Sequence, residues 1–258
     1  MLSLTFSLTE IERFLFVLLR VSSMTLLIPI FDSRSIPIMV KVGLCLSLAL
    51  ILHQALQMEP FIFIGELIPF VMGVAGEVLI GAMMGLVIRL LFAAAQLAGE
   101  LAAFQMGLTI ANVIDPMTSA QVSIMSQVIY FAAVLLFWCL DGHHLVIRVL
   151  VESFRVIPPF GMKPSPALLE FLMKRVADMF VIGVRMGAPL IVSLLLAALV
   201  IGLVARTVPQ MNVFMVAMPV KIFIGLIFLV ISLPLIAHLM GVLFAGIRQD
   251  LLTVISLF

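Results

Sequence analysis

This sequence is short of charge. Of 258 residues only 10% are charged, 14 of them Lys or Arg and 13 Asp or Glu. A soluble domain carries about 25% charged and about 45–50% apolar residues, whereas here the hydrophobic share is 64% and the mean hydropathy +1.36. No water-facing shell could cover so much apolar surface, so the bilayer is the solvent. A net charge of +1 and the lack of any basic run exclude a nucleic-acid partner. Cysteine is almost absent as well: Cys45 and Cys139 stand far apart in apolar runs without metal-type spacing, which indicates neither a disulfide nor a zinc site. Catalytic signatures are missing too. There is no Gly-x-Ser-x-Gly elbow, no Walker loop, no His-Glu-x-x-His and no pair of acids suited to proton transfer. The expectation is a protein that is not an enzyme and uses no cofactor or metal. The start, "MLSLTFSLTE", lacks a positive n-region and a cleavage site, and is expected to be retained.

What the chain does have is long apolar runs, and a membrane span needs about 20 such residues. The runs are Ile11–Phe31, Ile36–Gln57, Phe61–Ile114, Val122–Leu140 (the core of the charge-free stretch Pro116–Leu140), Met186–Ala205 and Ile222–Ile247. Ser7-x-x-Glu10 or Thr9-x-x-Glu12 opens the first with a capping-box pattern. The third is far too long for one span and has no polar loop to divide it. All are too long and too evenly apolar for the alternating strands of a barrel, so the chain reads as an all-α integral membrane protein. Pro29, Pro69, Pro189, Pro219 and Pro234 sit within or beside these runs, as do Arg20, Lys41, Glu66, Glu77, Arg89 and Arg185. Charge and broken backbone at membrane depth are tolerated only where protein or a cavity receives them. The prediction is therefore long, kinked, Pro/Gly-broken helices that lean on partner subunits, not a simple spanning bundle. With six crossings Arg34, Lys41, Arg206 and Lys221 fall on one side and Arg148, Arg155, Lys163, Lys174 and Arg175 on the other, so the positive-inside rule gives no orientation.

Gly81-x-x-x-Gly85 and Gly183-x-x-x-Gly187 match the small-xxx-small pattern of close helix contacts, within the chain or between subunits. "DGHH" (Asp141 to His144) reads as a polar turn closing the fourth run. "KRVADMFVIGVR" sets Arg175, Asp178 and Arg185 near one helical face, suited to an ion pair or a partner contact. "GLVARTVPQMNVF" joins the last two apolar runs as a hairpin tip. Around Glu100, "GELAAFQMGLTIANVIDPMTSAQ" ends a glycine-rich region in a turn at Asp115-Pro116, where helix continuation is disfavoured. That turn is unusually apolar. Met106, Leu108, Ile110, Val113, Ile114 and Met117 suit irregular backbone that closes a cavity, because Met fills irregular space and apolar constrictions gate by dewetting. An ordinary turn between spans is the other reading.

The runs "GE…FQMG…A…DP" (Gly99, Glu100, Phe104 to Gly107, Ala111, Asp115, Pro116), "DGHH…SF…P" (Asp141 to His144, Ser153, Phe154, Pro158) and "GLVARTVPQMNVF…MPVKI…G" (Gly202 to Phe214, Met218 to Ile222, Gly225) together resemble the FliR family. Members of that family are membrane subunits of the flagellar type III export gate, and the resemblance covers nearly the whole chain in order. The "DGHH" run favours the flagellar branch over the virulence-injectisome one. The resemblance implies a FliP-like portion at 1–176 and a FliQ-like helical hairpin at 177–258 with its tip at 206–212. It implies assembly with several copies of FliP and FliQ, with FlhB around the cytoplasmic entrance and FlhA beneath, in the bacterial inner membrane at the flagellar basal body. The cargo would be unfolded rod, hook and filament proteins. A central loop at about 105–117 would help to plug the closed channel through Gln105, Met106, Gly107, Leu108, Ile110, Asn112, Val113, Ile114, Asp115 and Pro116. Arg206, Pro209, Gln210, Asn212 and Lys221 would meet partners. Arg20, Glu77, Arg89, Glu100 and Arg185 would be buried polar groups or subunit contacts. One departure is Ala217-Met218-Pro219, where the family typically has Gly before Phe-Pro. The rival class is a stand-alone transporter or ion channel, but the chain shows no internal repeat and its acids are scattered.

Overall fold

The structure is a computed structural model that describes residues 8–32, 36–56, 67–108, 123–207 and 213–258. Among these residues the regular structure is helical: α1 (Leu8–Leu27), α2 (Pro29–Asp32), α3 (Ile38–Ala55), α4 (Leu67–Met106), α5 (Ile124–Cys139), α6 (Gly142–Val156), α7 (Pro166–Thr207) and α8 (Val213–Ser256). The all-α prediction holds. Pro29 opens α2 and so divides the first apolar run, as a residue without an N–H does most cheaply at a helix start.

The long helices depart from the expected spans. The third run becomes one 40-residue helix, and the inner apolar stretches of the last two runs extend into helices of 42 and 44 residues. At about 1.5 Å per residue each is roughly 60 Å long, twice the ~30 Å hydrocarbon thickness. Pro189 lies inside α7, and Pro219 and Pro234 inside α8, without ending either. Each proline removes one backbone hydrogen bond, but abandoning the helix in an apolar medium would expose many more. Among the described residues four helices (α3, α4, α7 and α8) are long and apolar enough to cross a membrane, or five spans if the α5–α6 pair, bent by 67°, counts as one. α1 carries Glu10, Glu12, Arg13 and Arg20 and is not among them.

The chain forms two compact units. The first draws on Met1–Leu90, Asp141–Arg175 and Gly246–Phe258, the second on Leu91–Leu140 and Val176–Ala245. In the first, α1 buries Phe16, Val17, Arg20, Val21 and Met24 along one stripe. Gly81 and Gly85 bring α4 onto that helix: a Cβ at Gly81 would stand 2.4 Å from the Arg20 carbonyl, and one at Gly85 2.8 Å from that of Met24. The C-terminal end is tied in by Lys163 and Ser165, whose N–H groups donate to the carbonyls of Phe258 and Leu257. In the second unit Phe92, Phe137 and Phe244 form an aromatic core with centroids 5.4–5.8 Å apart. There Gly183 and Gly187 of α7 face Ala94, Leu97 and Ala98 of α4. Both small-xxx-small pairs therefore serve contacts within the chain. The most apolar windows of α7 and α8 are only 17% and 22% buried, against 50% for α4, so these two helices offer most of their apolar surface outward.

Candidate functional site

Two features of the fold concern function, a buried charge cluster in the first unit and the end of α4 in the second. Arg20 is fully buried, and its guanidinium is bidentate on Glu77: Nε donates to Oε2 at 2.6 Å and Nη2 to Oε1 at 2.9 Å. Nη1 donates to Ser153 Oγ and Nη2 to the Ile157 carbonyl, both at 3.1 Å. The Phe154 ring lies 4.1 Å beneath the guanidinium. A charge removed from water is tolerable only with this degree of pairing. The cluster ties α1, α4 and α6 together. A cleft of about 280 Å³ opens beside Glu77, lined by Pro69, Met72, Gly73, Gly76, Phe160 and Met162.

This arrangement divides the group of expected buried polar or subunit-contact residues. Arg20 and Glu77 pair with each other inside the chain, whereas Arg89, Glu100 and Arg185 are exposed on it. Ser153 and Phe154, which carried part of the family resemblance, form the receptacle for Arg20. One sign of the pairing was available in the sequence. Arg20 and Glu77 are opposite charges in separate apolar runs, and the glycine pair that brings α4 onto another helix begins one turn after Glu77.

α4 ends at Met106, before Asp115-Pro116 in the sequence. Gly107 has φ 82°, its N–H donates to the Phe104 carbonyl at 3.1 Å, and the Leu108 N–H reaches back to Ala103 at 3.1 Å. This is a Schellman ending, which needs a left-handed residue and so favours glycine. Met106, the last helical residue, is fully buried. Its Cγ, Sδ and Cε lie against Gly225 of α8, where a Cβ would stand only 2.7–2.8 Å from them. Gln105 and Leu108 are half-buried, and Phe104 is 70% exposed. The remaining expected plug residues, Ile110, Asn112, Val113, Ile114, Asp115 and Pro116, lie outside the described residues. On the far side Ser123 caps α5 by accepting from the Ser126 N–H at 3.3 Å. Ser126 Oγ donates to the Gln96 carbonyl at 3.0 Å, and Gly99 meets the Ser126 backbone. The late part of α4 and the start of α5 thus hold the two stems of the segment together.

Of the expected partner contacts, Arg206 is exposed in the last turn of α7 and Lys221 is half-buried on α8. Pro209, Gln210 and Asn212 lie outside the described residues. Of the "DGHH" run, Asp141 lies in the turn between α5 and α6 at φ 54°, and Gly142 to His144 begin α6, with Asp141 Oδ1 3.2 Å from His144 Nδ1. Donor atoms of Asp141, His143 and His144 lie within 4.8 Å of one another at this exposed corner. Arg175, expected to act near Asp178, reaches Asp250 of α8 at 3.3 Å.

The profile of the family described as bacterial export proteins, family 1, matches residues 11–247. The chain is 37% identical over 229 residues to the flagellar biosynthetic protein FliR of Bacillus subtilis (strain 168), covering 86% of each. It is 30% identical over 253 residues to FliR of Escherichia coli (strain K12), covering 96% of this chain and 95% of that protein. With FliR of Aquifex aeolicus (strain VF5) it shares 33% identity over 234 residues, 89% of this chain and 90% of the other.

Proposed function

The chain belongs to family 1 of the bacterial export proteins, and on that footing we propose that it is the FliR-type subunit of a flagellar type III protein export gate. It is a membrane protein of the flagellar export apparatus. Within the gate it forms part of the protein-conducting channel, carries no catalytic chemistry of its own, and contributes the plug segment at about 105–117. Residues 1–176 act as the FliP-like portion and 177–258 as the FliQ-like hairpin. The partners are FliP, FliQ, FlhB and FlhA, the cargo is unfolded rod, hook and filament proteins, and the site is the inner membrane at the basal body.

The likeness over residues 11–247 carries this reading. The geometry favours it over a stand-alone transporter. Three helices of 40 to 44 residues, two of them apolar and largely uncovered, outrun a bilayer and call for neighbouring subunits. Co-expression with FliP and FliQ is expected to give one large mixed particle in mild detergent, and expression alone little monodisperse protein. Particle mass and mass-spectrometric identification of the chains check this. A well-behaved monomer or small homo-oligomer with normal helix content would overturn the gate reading.

Arg206 lies in the last turn of α7, and the FliR likeness supports a hairpin tip beyond it at the cytoplasmic mouth, beside FlhB. A Gln210→Cys variant of the assembled gate should cross-link to FlhB and react with a reagent confined to the cytoplasm. Labelling from the periplasmic side alone would reverse this orientation.

A further inference from the structure

The start of α6 gathers three side chains of the kinds that hold transition metals. Asp141, His143 and His144 each bring one ligand atom to the same corner, and these atoms all lie within 4.8 Å of one another. The carboxylate already faces one imidazole, with Asp141 Oδ1 3.2 Å from His144 Nδ1. That separation is close to the ~3.4 Å edge between two ligands held about 2.1 Å from a tetrahedral zinc. The second imidazole lies against the first, with ring centroids 4.1 Å apart. Asp141 is the N-cap of α6, where an aspartate side chain ordinarily accepts from a backbone N–H of the first turn. Here it makes no such bond. The Asp141 carbonyl accepts from the N–H groups of His144 and Leu145 instead, which leaves the carboxylate to the histidines. Asp141 and His144 are exposed and His143 is half-buried, so the side chains have room to rotate the short remaining distance onto one ion.

We propose that Asp141, His143 and His144 form a binding site for a divalent transition metal of the zinc class, with water completing the coordination. Two imidazoles and one carboxylate suit zinc, whereas magnesium and calcium prefer oxygen ligands throughout. A helix N-terminus by itself repels a cation. The Asp141 carboxylate offsets that repulsion, so a ligand set that includes an acid suits this place better than imidazoles alone. With ligands at 141 and 144, the ion would bridge the N-cap and the first turn and so fasten the start of α6. The site is independent of the plug and partner readings.

The test uses the full chain, assembled with its partner subunits and purified through a tag without histidine. The sample is stripped with a chelator and titrated with zinc by calorimetry. The wild type is expected to take up one zinc ion per copy of this chain more than His143→Gln/His144→Gln does. Single His144→Gln and Asp141→Asn variants should weaken that binding at least tenfold, since loss of even an outer-shell partner costs about 10–100-fold. Cobalt in place of zinc gives a second readout, a visible absorption band in the wild type that the double variant lacks. None of the three residues is buried, so without metal the variants should keep the wild-type thermal midpoint, and zinc should raise the midpoint of the wild type alone. If the double variant does not assemble, the single variants carry the comparison. Equal zinc uptake by the wild type and the double variant, or single variants with wild-type affinity, would overturn the site.

Discussion

Replacing Arg20 by Met is expected to destabilise the folded subunit by about 3–5 kcal/mol, the range for removing one partner of a buried ion pair. Glu77 would keep its position, 1% exposed, with neither of the two guanidinium bonds that now neutralise it. Ser153 Oγ and the Ile157 carbonyl would each lose a donor as well. Glu77→Met should cost about as much by stranding the arginine. The informative variant is the double one, Arg20→Met/Glu77→Met. Well-packed apolar residues often replace a buried pair at little cost, so most of the loss should be regained. The measurement is the thermal midpoint of the assembled particle, with yield as a second readout. Wild-type midpoints for both single variants, or a double variant as unstable as the sum of the singles, would show that the cluster does not hold α1, α4 and α6 together.

The same cluster marks how far the sequence could be read. Arg20 and Glu77 stood out in the sequence as charges in apolar runs, and in the structure they pair with each other. Which protein they face could not be read, because partners 57 residues apart are joined only by the packing of α1 on α4. The Gly81/Gly85 pair carried that packing, but the small-xxx-small pattern is the same whether the second helix belongs to this chain or to another. Helix ends were missed for a different reason. Glu170, Lys174, Arg175 and Asp178 interrupt an apolar count, so although "KRVADMFVIGVR" was read as helical, the start of α7 at Pro166 was not. The internal prolines misled in the opposite direction. Pro189, Pro219 and Pro234 looked like interruptions, whereas one missing hydrogen bond costs less than an unwound turn where no water can repair it. At the end of α4 the Asp-Pro pair drew attention from Gly107, which closes the helix first.

Deleting Leu108 to Val113 is expected to leave an assembled gate that leaks ions. The stems on either side are built from residues the deletion spares. Gly99 meets the Ser126 backbone, and the Ser126 hydroxyl is bonded to the Gln96 carbonyl. From Gly99 to Gly107 α4 advances only about 12 Å. Residues 114–122, which would remain between Gly107 and Ser123, can span up to roughly 30 Å when extended, so the shortened connection closes without pulling on either helix. The Schellman ending also survives. Ile114 would follow Gly107 directly, supplying the N–H that Leu108 now gives to Ala103 and keeping an apolar residue at that position. What is lost is Leu108, Ile110 and Val113, three of the apolar side chains assigned to the seal. A gap of a few ångströms wets, and a wetted pore no longer presents a dewetting barrier to ions. Conductance should rise, and the proton gradient fall, in proportion to the number of gates. Met106→Ala should do less, because neighbouring flexible side chains can fill part of the space it vacates. Membrane conductance or entry of an impermeant dye, at matched levels of assembled gate, decides the matter. A deletion that assembles normally and conducts no more than the wild type would reduce this apolar segment to a connection between α4 and α5.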